Sequence, residues 1–224
     1  MNMVIRGQDQ NVSGKVRSAR RAFSALGITA AIVLAASGAG LASFAGSPAA
    51  PAAAAAPALA ETFTVDAGHS AVLYRIKHMN IAWSYGRFNS FSGTYNIAEG
   101  GSIDITVKAD SVDSGIGKRD EHIKGTDFFS AKEFPDMTFK SSSLKKTGEN
   151  TFEAAGQLTF RGVTKDITAT VEKTGEGPGM GGKGKLQGFE AKFTFKRSEF
   201  GMNYMPGGLS EDVHIIASIE GGTK

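Results

Sequence analysis

Ser102-Ile103-Asp104-Ile105-Thr106-Val107-Lys108-Ala109 settles the structural class of this chain. Ile103, Ile105, Val107 and Ala109 alternate with Asp104, Thr106 and Lys108. Successive side chains of a strand point to opposite faces, so a period of two puts one set in a core and the other in water. One wet face and one dry face is the mark of an antiparallel sheet.

The same pattern extends in both directions. Upstream, Glu61–Asp66 alternates weakly through Phe63 and Val65. Ser70–Lys77 places Val72, Tyr74 and Ile76 opposite Arg75 and Lys77. Residues 79–84 break the pattern and hold Trp83, and a long strand is expected from Tyr85 to Ile97, bent at Gly86 and Gly93. Downstream, strands are expected over Asp136–Ser143, Thr151–Arg161, Val163–Lys173, Lys185–Arg197 and Glu211–Glu220. Their inward faces include Met137, Phe139, Leu158, Phe160, Ala169, Phe189, Ala191, Phe193, Phe195, Val213, Ile215, Ala217 and Ile219. Antiparallel strands joined by short turns predict an all-β fold, an up-and-down barrel rather than a flat sandwich, because closure removes two exposed edges. Phe interleaved with Ala and Gly suggests a barrel with unfilled space, whereas a tapering packed core would mix sizes in the same way.

One segment differs. Lys118-Arg119-Asp120-Glu121-His122-Ile123-Lys124-Gly125-Thr126-Asp127-Phe128-Phe129 is charged at its start and aromatic at its end. Burying one large apolar side chain is worth roughly 1.5–3 kcal/mol, so Phe128 and Phe129 should be docked, with the charged end left at a rim. One or two short helices are expected here. Ser130-Ala131-Lys132-Glu133 has capping-box spacing, and Pro135 ends the insert.

The first 60 residues have another character. Five of the 25 basic and one of the 22 acidic residues fall there, which leaves 20 and 21 in 61–224, a body near neutral. That balance argues against a nucleic-acid partner, which a clustered basic excess would mark. Arg17, Arg20 and Arg21 precede an uncharged run from Ala22 to Gly46, the arrangement of an export signal. Arg20-Arg21-Ala22-Phe23 matches the centre of a twin-arginine signal. Cleavage is expected before Glu61, after Ala58-Leu59-Ala60, with Ser43-Phe44-Ala45 as a rival site; residues 46–60 are a Pro/Ala spacer. A periplasmic or otherwise exported protein follows. Membrane contact is expected only through this segment, if it stays uncleaved. The domains expected are therefore 1–60, signal and spacer, and 61–224, barrel.

Residues that invite catalytic or metal chemistry do not form the patterns it needs. His69 and His78 lie nine apart, which a regular strand would put on opposite faces. With Asp120 and His122 they make no HExxH or facial-triad spacing, so no metal site and no cofactor is expected. Cysteine is absent. Gly177-Pro178-Gly179-Met180-Gly181-Gly182 fits GxGxxG in letters, but no helix follows it, and a mobile hairpin is expected. No GxSxG occurs. A non-enzyme is the principal reading; an enzyme acting on a hydrophobic substrate through His69, His78 or His122, and a structural envelope protein with a filled barrel, are the alternatives.

Several motifs recur in one order along the chain: Asp66-Ala67-Gly68-His69-Ser70, Ile76-Lys77-His78, Gly86-Arg87-Phe88, Phe91-Ser92-Gly93, the Lys118–Phe129 segment with Phe134-Pro135, Leu158–Lys165, and Arg197-Ser198-Glu199-Phe200-Gly201-Met202. Together they resemble the YceI-like family across nearly all of 61–224. The resemblance implies a lipocalin-like barrel of eight antiparallel strands around a long apolar pocket that binds polyisoprenoid or other long-chain amphiphiles, and many members are exported to the periplasm. Met79 stands where Leu is commoner, and the Gly-rich hairpin at 174–184 is long. The candidate ligand-binding residues are His69, His78, Arg119, His122, Phe128, Phe129, Phe193, Phe195 and Arg197. The histidines and Arg119 either satisfy buried polar groups near the mouth or meet a ligand's head group. The expected partner is an isoprenoid or other long-chain lipid, and the reading is compatible with a homodimer.

Overall fold

A computed structural model describes residues 61–223. Its strands are β1 (Phe63–Val65), β2 (Ala71–His78), β3 (Ala82–Phe88), β4 (Phe91–Asn96), β5 (Ser102–Lys108) and β6 (Val112–Asp113). After the α-helix α1 (Gly117–Lys124) come β7 (Asp136–Ser141), β8 (Leu144–Lys146), β9 (Thr151–Phe160), β10 (Val163–Pro178), β11 (Lys185–Lys196) and β12 (Leu209–Gly222). The export signal, its cleavage site and the spacer expected in residues 1–60 lie outside the described residues.

Several of these strands are segments of longer ones. β1 and β2 both run along one side of β12, with Thr64 opposite Gly222 and Val72 opposite Ala217. β3 pairs with β2 while β4 pairs with β1 and β5. β6 continues β5 and pairs with the end of β3, and β7 and β8 both pair with β9. Eight antiparallel strands result, each bonded to the next, and β12 pairs back to the first: the barrel is closed.

The break between β1 and β2 explains one of the sequence motifs. Asp66 accepts the Gly68 N–H at 2.9 Å and caps a short 3₁₀ turn, Ala67–His69. The Ser70 hydroxyl donates to Asp66 O at 2.6 Å and accepts the Glu220 N–H at 2.9 Å, so two side chains replace ladder bonds where the strand steps aside.

Three expectations are corrected. The long strand at Tyr85–Ile97 is two strands, parted at Asn89-Ser90, and the interruption before it is only the turn Met79-Asn80-Ile81, so Trp83 lies in β3 opposite Lys77. Ser130 starts no second helix: its backbone is left-handed (φ 48°), and its carbonyl accepts the N–H groups of Glu133 and Phe134 in a single turn. β10 carries through Gly175 and Gly177 to Pro178, leaving Gly179–Gly184 as the hairpin turn.

One end of the barrel is packed shut. Tyr95 stacks on Phe63 with centroids 5.7 Å apart and meets Phe189 edge-on at 4.8 Å. Its hydroxyl donates to Gln187 O, and the Gln187 side chain accepts the Ile97 N–H at 2.8 Å. Ile97, Leu144, Ala154 and Val171 complete this fully buried plug.

Candidate ligand-binding cavity

Above the plug the barrel is hollow. The lumen has a volume of about 380 Å³, within the roughly 300–1,000 Å³ of small-molecule sites. On β12 its wall is Leu209, Val213, Ile215, Ala217 and Ile219, and on β11 it is Phe195, Phe193, Ala191 and Phe189. From Leu209 to Ile219, at ~3.3 Å per residue and a strand tilt of about 40°, the lining extends about 25 Å along the axis. A modest volume drawn out over that length is a narrow tunnel, suited to a chain rather than a compact molecule. The filled barrel considered from sequence is thereby corrected: Ala169, Ala191 and Ala217 leave the space that larger side chains would close.

Inside, the walls are apolar and aromatic. Phe139 and Phe193 stack at 5.8 Å, and Phe160 meets Phe195 edge-on at 6.1 Å. The Tyr74 ring lies where a side chain on its cross-strand partner Gly86 would stand, so that glycine serves a close approach rather than a bend. Burial pushes the Tyr74 hydroxyl up to about 12, against the opposing pull of the Arg119 charge.

The mouth lies at the opposite end from the plug, because Tyr204 and Met205 both line the lumen and are exposed. Three elements rim it: the β2–β3 turn, the loop between β11 and β12, and α1. The Met79 N–H donates to Gly208 O at 2.7 Å, joining the first two. His122 on α1 meets Phe128 and Tyr204 edge-on, at 5.1 and 5.0 Å, joining the third. His122 Nε2 and an Asp127 carboxylate oxygen are 2.9 Å apart, which fixes the ring.

The insert docks by its aromatic end. Phe129 sits between Phe88 (5.9 Å) and Phe160 (5.2 Å). Arg161, in the β9–β10 turn, donates to the carbonyls of Thr126 and Phe128 and ties the segment down. At the charged end the Asp120 carboxylate accepts from the Ser114 N–H and hydroxyl, and Arg119 donates to the Ser114 hydroxyl and carbonyl. Arg119 therefore lines the mouth with its Nε–H already engaged.

Of the nine candidate residues, His78, Arg119, His122, Phe128, Phe129, Phe193, Phe195 and Arg197 line the lumen. His69 does not: it stands beside Asp66 at the closed end of β2, its side chain 70% exposed. Its place in the motif reflects the strand offset around Asp66 and Ser70. Arg197 reaches the wall, but it is 1% exposed and its donors are committed to the protein. Nε donates to Ser210 O, Nη1 to Met202 O and Tyr204 O, and Nη2 to Leu209 O, with Glu211 at 3.6 Å. It pins the mouth loop rather than presenting charge to the lumen. The sequence reading missed Tyr204, Met205 and Leu209; the signal available was the Gly201 to Gly208 segment, whose turn residues mark a loop returning to the inward face of β12. Among the described residues no group of three or more His, Cys, Asp or Glu side chains is placed to hold a metal ion.

A closed antiparallel barrel with one plugged end and an apolar tunnel is a binding-protein architecture. Residues 63–221 match the YceI-like domain, and the chain belongs to that family. It is 35% identical over 170 residues to Protein YceI of Salmonella newport, an alignment covering 73% of this chain and 88% of that protein. Among solved structures it is similar to Burkholderia cenocepacia BcnA (26% identity, TM-score 0.64, covering 70% of this chain and 98% of that one) and to the Campylobacter jejuni YceI protein (31%, TM-score 0.61, 66% and 90%). A polyisoprenoid binding domain from Saccharophagus degradans shares the fold at 14% identity and TM-score 0.52, covering 72% of this chain and 98% of that domain.

Proposed function

We propose that the protein holds a long-chain apolar molecule, a polyisoprenoid or similar amphiphilic lipid, within the barrel and does not transform it. The observation that carries this is the tunnel: long, narrow, apolar to its floor at Phe189, with polar side chains gathered at the mouth. The chain of the ligand lies along Phe193, Ala191 and Ala217, and its head group stays near His78, Arg119 and His122. Burial of the chain at about 25 cal/mol per Å² supplies the affinity, less the cost of ordering it. The enzyme alternative has less support, since its three histidines do not converge: His69 is at the far end from His78 and His122. The arginine-led, uncharged N-terminal segment supports export as the setting.

Native mass spectrometry of protein purified without detergent, followed by titration with a prenyl alcohol and with a fatty alcohol of equal length, tests the reading. One lipid per barrel is expected. A barrel that emerges empty and takes up neither probe overturns it.

A further inference from the structure

The exposed apolar side chains are unevenly placed. Among the described residues, several large apolar side chains that face solvent gather at the mouth: Met79 and Ile81 on the β2–β3 turn, and Tyr204 and Met205 on the facing loop. Ile81 is 86% exposed and Met79 is 51% exposed. Away from the mouth stand Met180, 91% exposed on the β10–β11 turn at the closed end, and Leu73 on the outer face of β2.

Backbone conformation makes this placement more telling. Met79 (φ 52°), Asn80 (φ 54°) and Met205 (φ 55°) are all left-handed. Such positions favour Gly or Asn, and a methionine there carries a steric cost. Met79 does not offset that cost by burial within the chain. The hairpin turn, closed by the Ile81 N–H donating to His78 O at 3.0 Å, itself demands the left-handed pair at 79 and 80; what points to a partner outside the molecule is an exposed methionine where Gly or Asn fits that backbone better.

What lies behind the tip identifies the partner. Descending β3 from Ile81, the outer face carries Trp83 and then Tyr85, both exposed. Arg75 lies 4.5 Å from the Trp83 ring centroid and Lys77 Nζ lies 5.4 Å from it. Aliphatic side chains at the tip, then Trp and Tyr, with two cationic groups lying over the Trp83 ring, is the order of chemistry across a lipid bilayer from hydrocarbon to head group. The tip is also continuous with the tunnel, since His78 and Leu209, paired just behind Met79, both line it.

We infer that the mouth rim is a docking edge for a lipid bilayer, on which the barrel stands mouth-down to exchange its ligand directly with the membrane. The inference rests on the lipid-binding reading above and adds the route by which the ligand enters. A second copy of the chain is the rival occupant of the same rim.

Trp83 is the chain's only tryptophan, so its fluorescence reports on this end of the barrel in the full-length protein, whatever the N-terminal segment does. The probe is a phosphatidylcholine vesicle with brominated acyl chains, compared with wild type and the double variant M79N/I81D. Asn accepts the left-handed backbone at 79, and neither residue lines the tunnel. Wild-type Trp83 should be quenched on adding vesicles and the variant should not. Extraction of a fluorescent prenyl alcohol from vesicles should slow about tenfold in the variant, as expected for losing the burial of one to two apolar side chains. The affinity for the same alcohol delivered from cyclodextrin should be unchanged. Equal quenching in both proteins overturns the inference, as does an unslowed extraction rate with cyclodextrin binding intact. Self-association that M79N/I81D abolishes, without quenching in wild type, assigns the rim to a second copy and also overturns it. Failure to bind from cyclodextrin would instead strike at the lipid-binding reading itself.

Discussion

The His122 imidazole stands edge-on to the Tyr204 ring, centroids 5.0 Å apart and planes at 82°, and this contact closes one side of the tunnel mouth. It links α1 to a loop more than eighty residues away, with Phe128 wedged against both rings. An aromatic pair of this geometry contributes about 0.5–1.5 kcal/mol beyond burial. Tyr204→Ala removes two such contacts at the exit. Release of a bound fluorescent prenyl alcohol should accelerate about tenfold in stopped-flow measurements, while the melting temperature should fall by only a few degrees, the loss of about 1–3 kcal/mol of packing.

Arg197 should behave in the opposite way. Its guanidinium satisfies four carbonyls of the Met202–Ser210 loop from a fully buried position. Hydrogen bonds to a charged donor are worth about 1.5–3 kcal/mol each, and the carbonyls left behind would be desolvated without partners. Arg197→Met should lower unfolding free energy by about 3 kcal/mol or more in urea titrations and expose the loop to limited proteolysis. Arg197→Lys should rescue little, because an ammonium cannot reproduce the planar fork that serves four acceptors.

Ala191 offers a direct test of hollowness. It faces Ala217 across β11–β12 and Val171 across β10–β11, one inward position above the tunnel floor at Phe189. Ala191→Phe projects a ring into space the structure leaves open, so the overpacking cost common in filled cores, about 1–3 kcal/mol, should not be incurred. The melting temperature should stay level or rise, and prenyl alcohol binding should weaken at least tenfold by titration.

Most of the barrel was legible because its strands obey a period of two; the inward residues read from β11 and β12 are the ones that line the tunnel. The docking of Phe128 and Phe129 followed from their cost in water. Less legible were features that depend on the third dimension. Nothing local distinguishes Arg161, which ties down the insert, from Arg197, which pins the mouth loop, and neither role can be read without knowing which carbonyls fold within reach. His69 was grouped with His78 because both occur in motifs, yet β2 separates them by its full length. Gly86 suggested a bend, while its use is to receive the ring of Tyr74 from the neighbouring strand. Side-chain order along a strand is written in the chain; the partner across a turn or a lumen is not.

His69 and Asp66 give a pH test that bears on the site as well as on the fold. Their hydrogen bond at 2.9 Å, and then the attraction of the two charges, raises the His69 pKa above its ordinary 6.5; the same contact with His69, followed by the Gly68 N–H, lowers that of Asp66 below 3.8. A raised histidine pKa gives stability that is present below about 6.5 and lost as pH rises through the folded value. A depressed carboxylate pKa gives stability that is present above about 3.8 and lost as pH falls through the folded value. The ion pair should therefore contribute chiefly between those limits, and only weakly, because both groups are exposed. Proton NMR of the His69 ring should show a midpoint above 6.5 that Asp66→Asn returns toward the ordinary value. Because this pair sits at the plugged end, prenyl alcohol affinity should not follow the His69 titration. A binding curve that tracked His69 would place the head group at the plugged end of the barrel and invert the ligand's orientation.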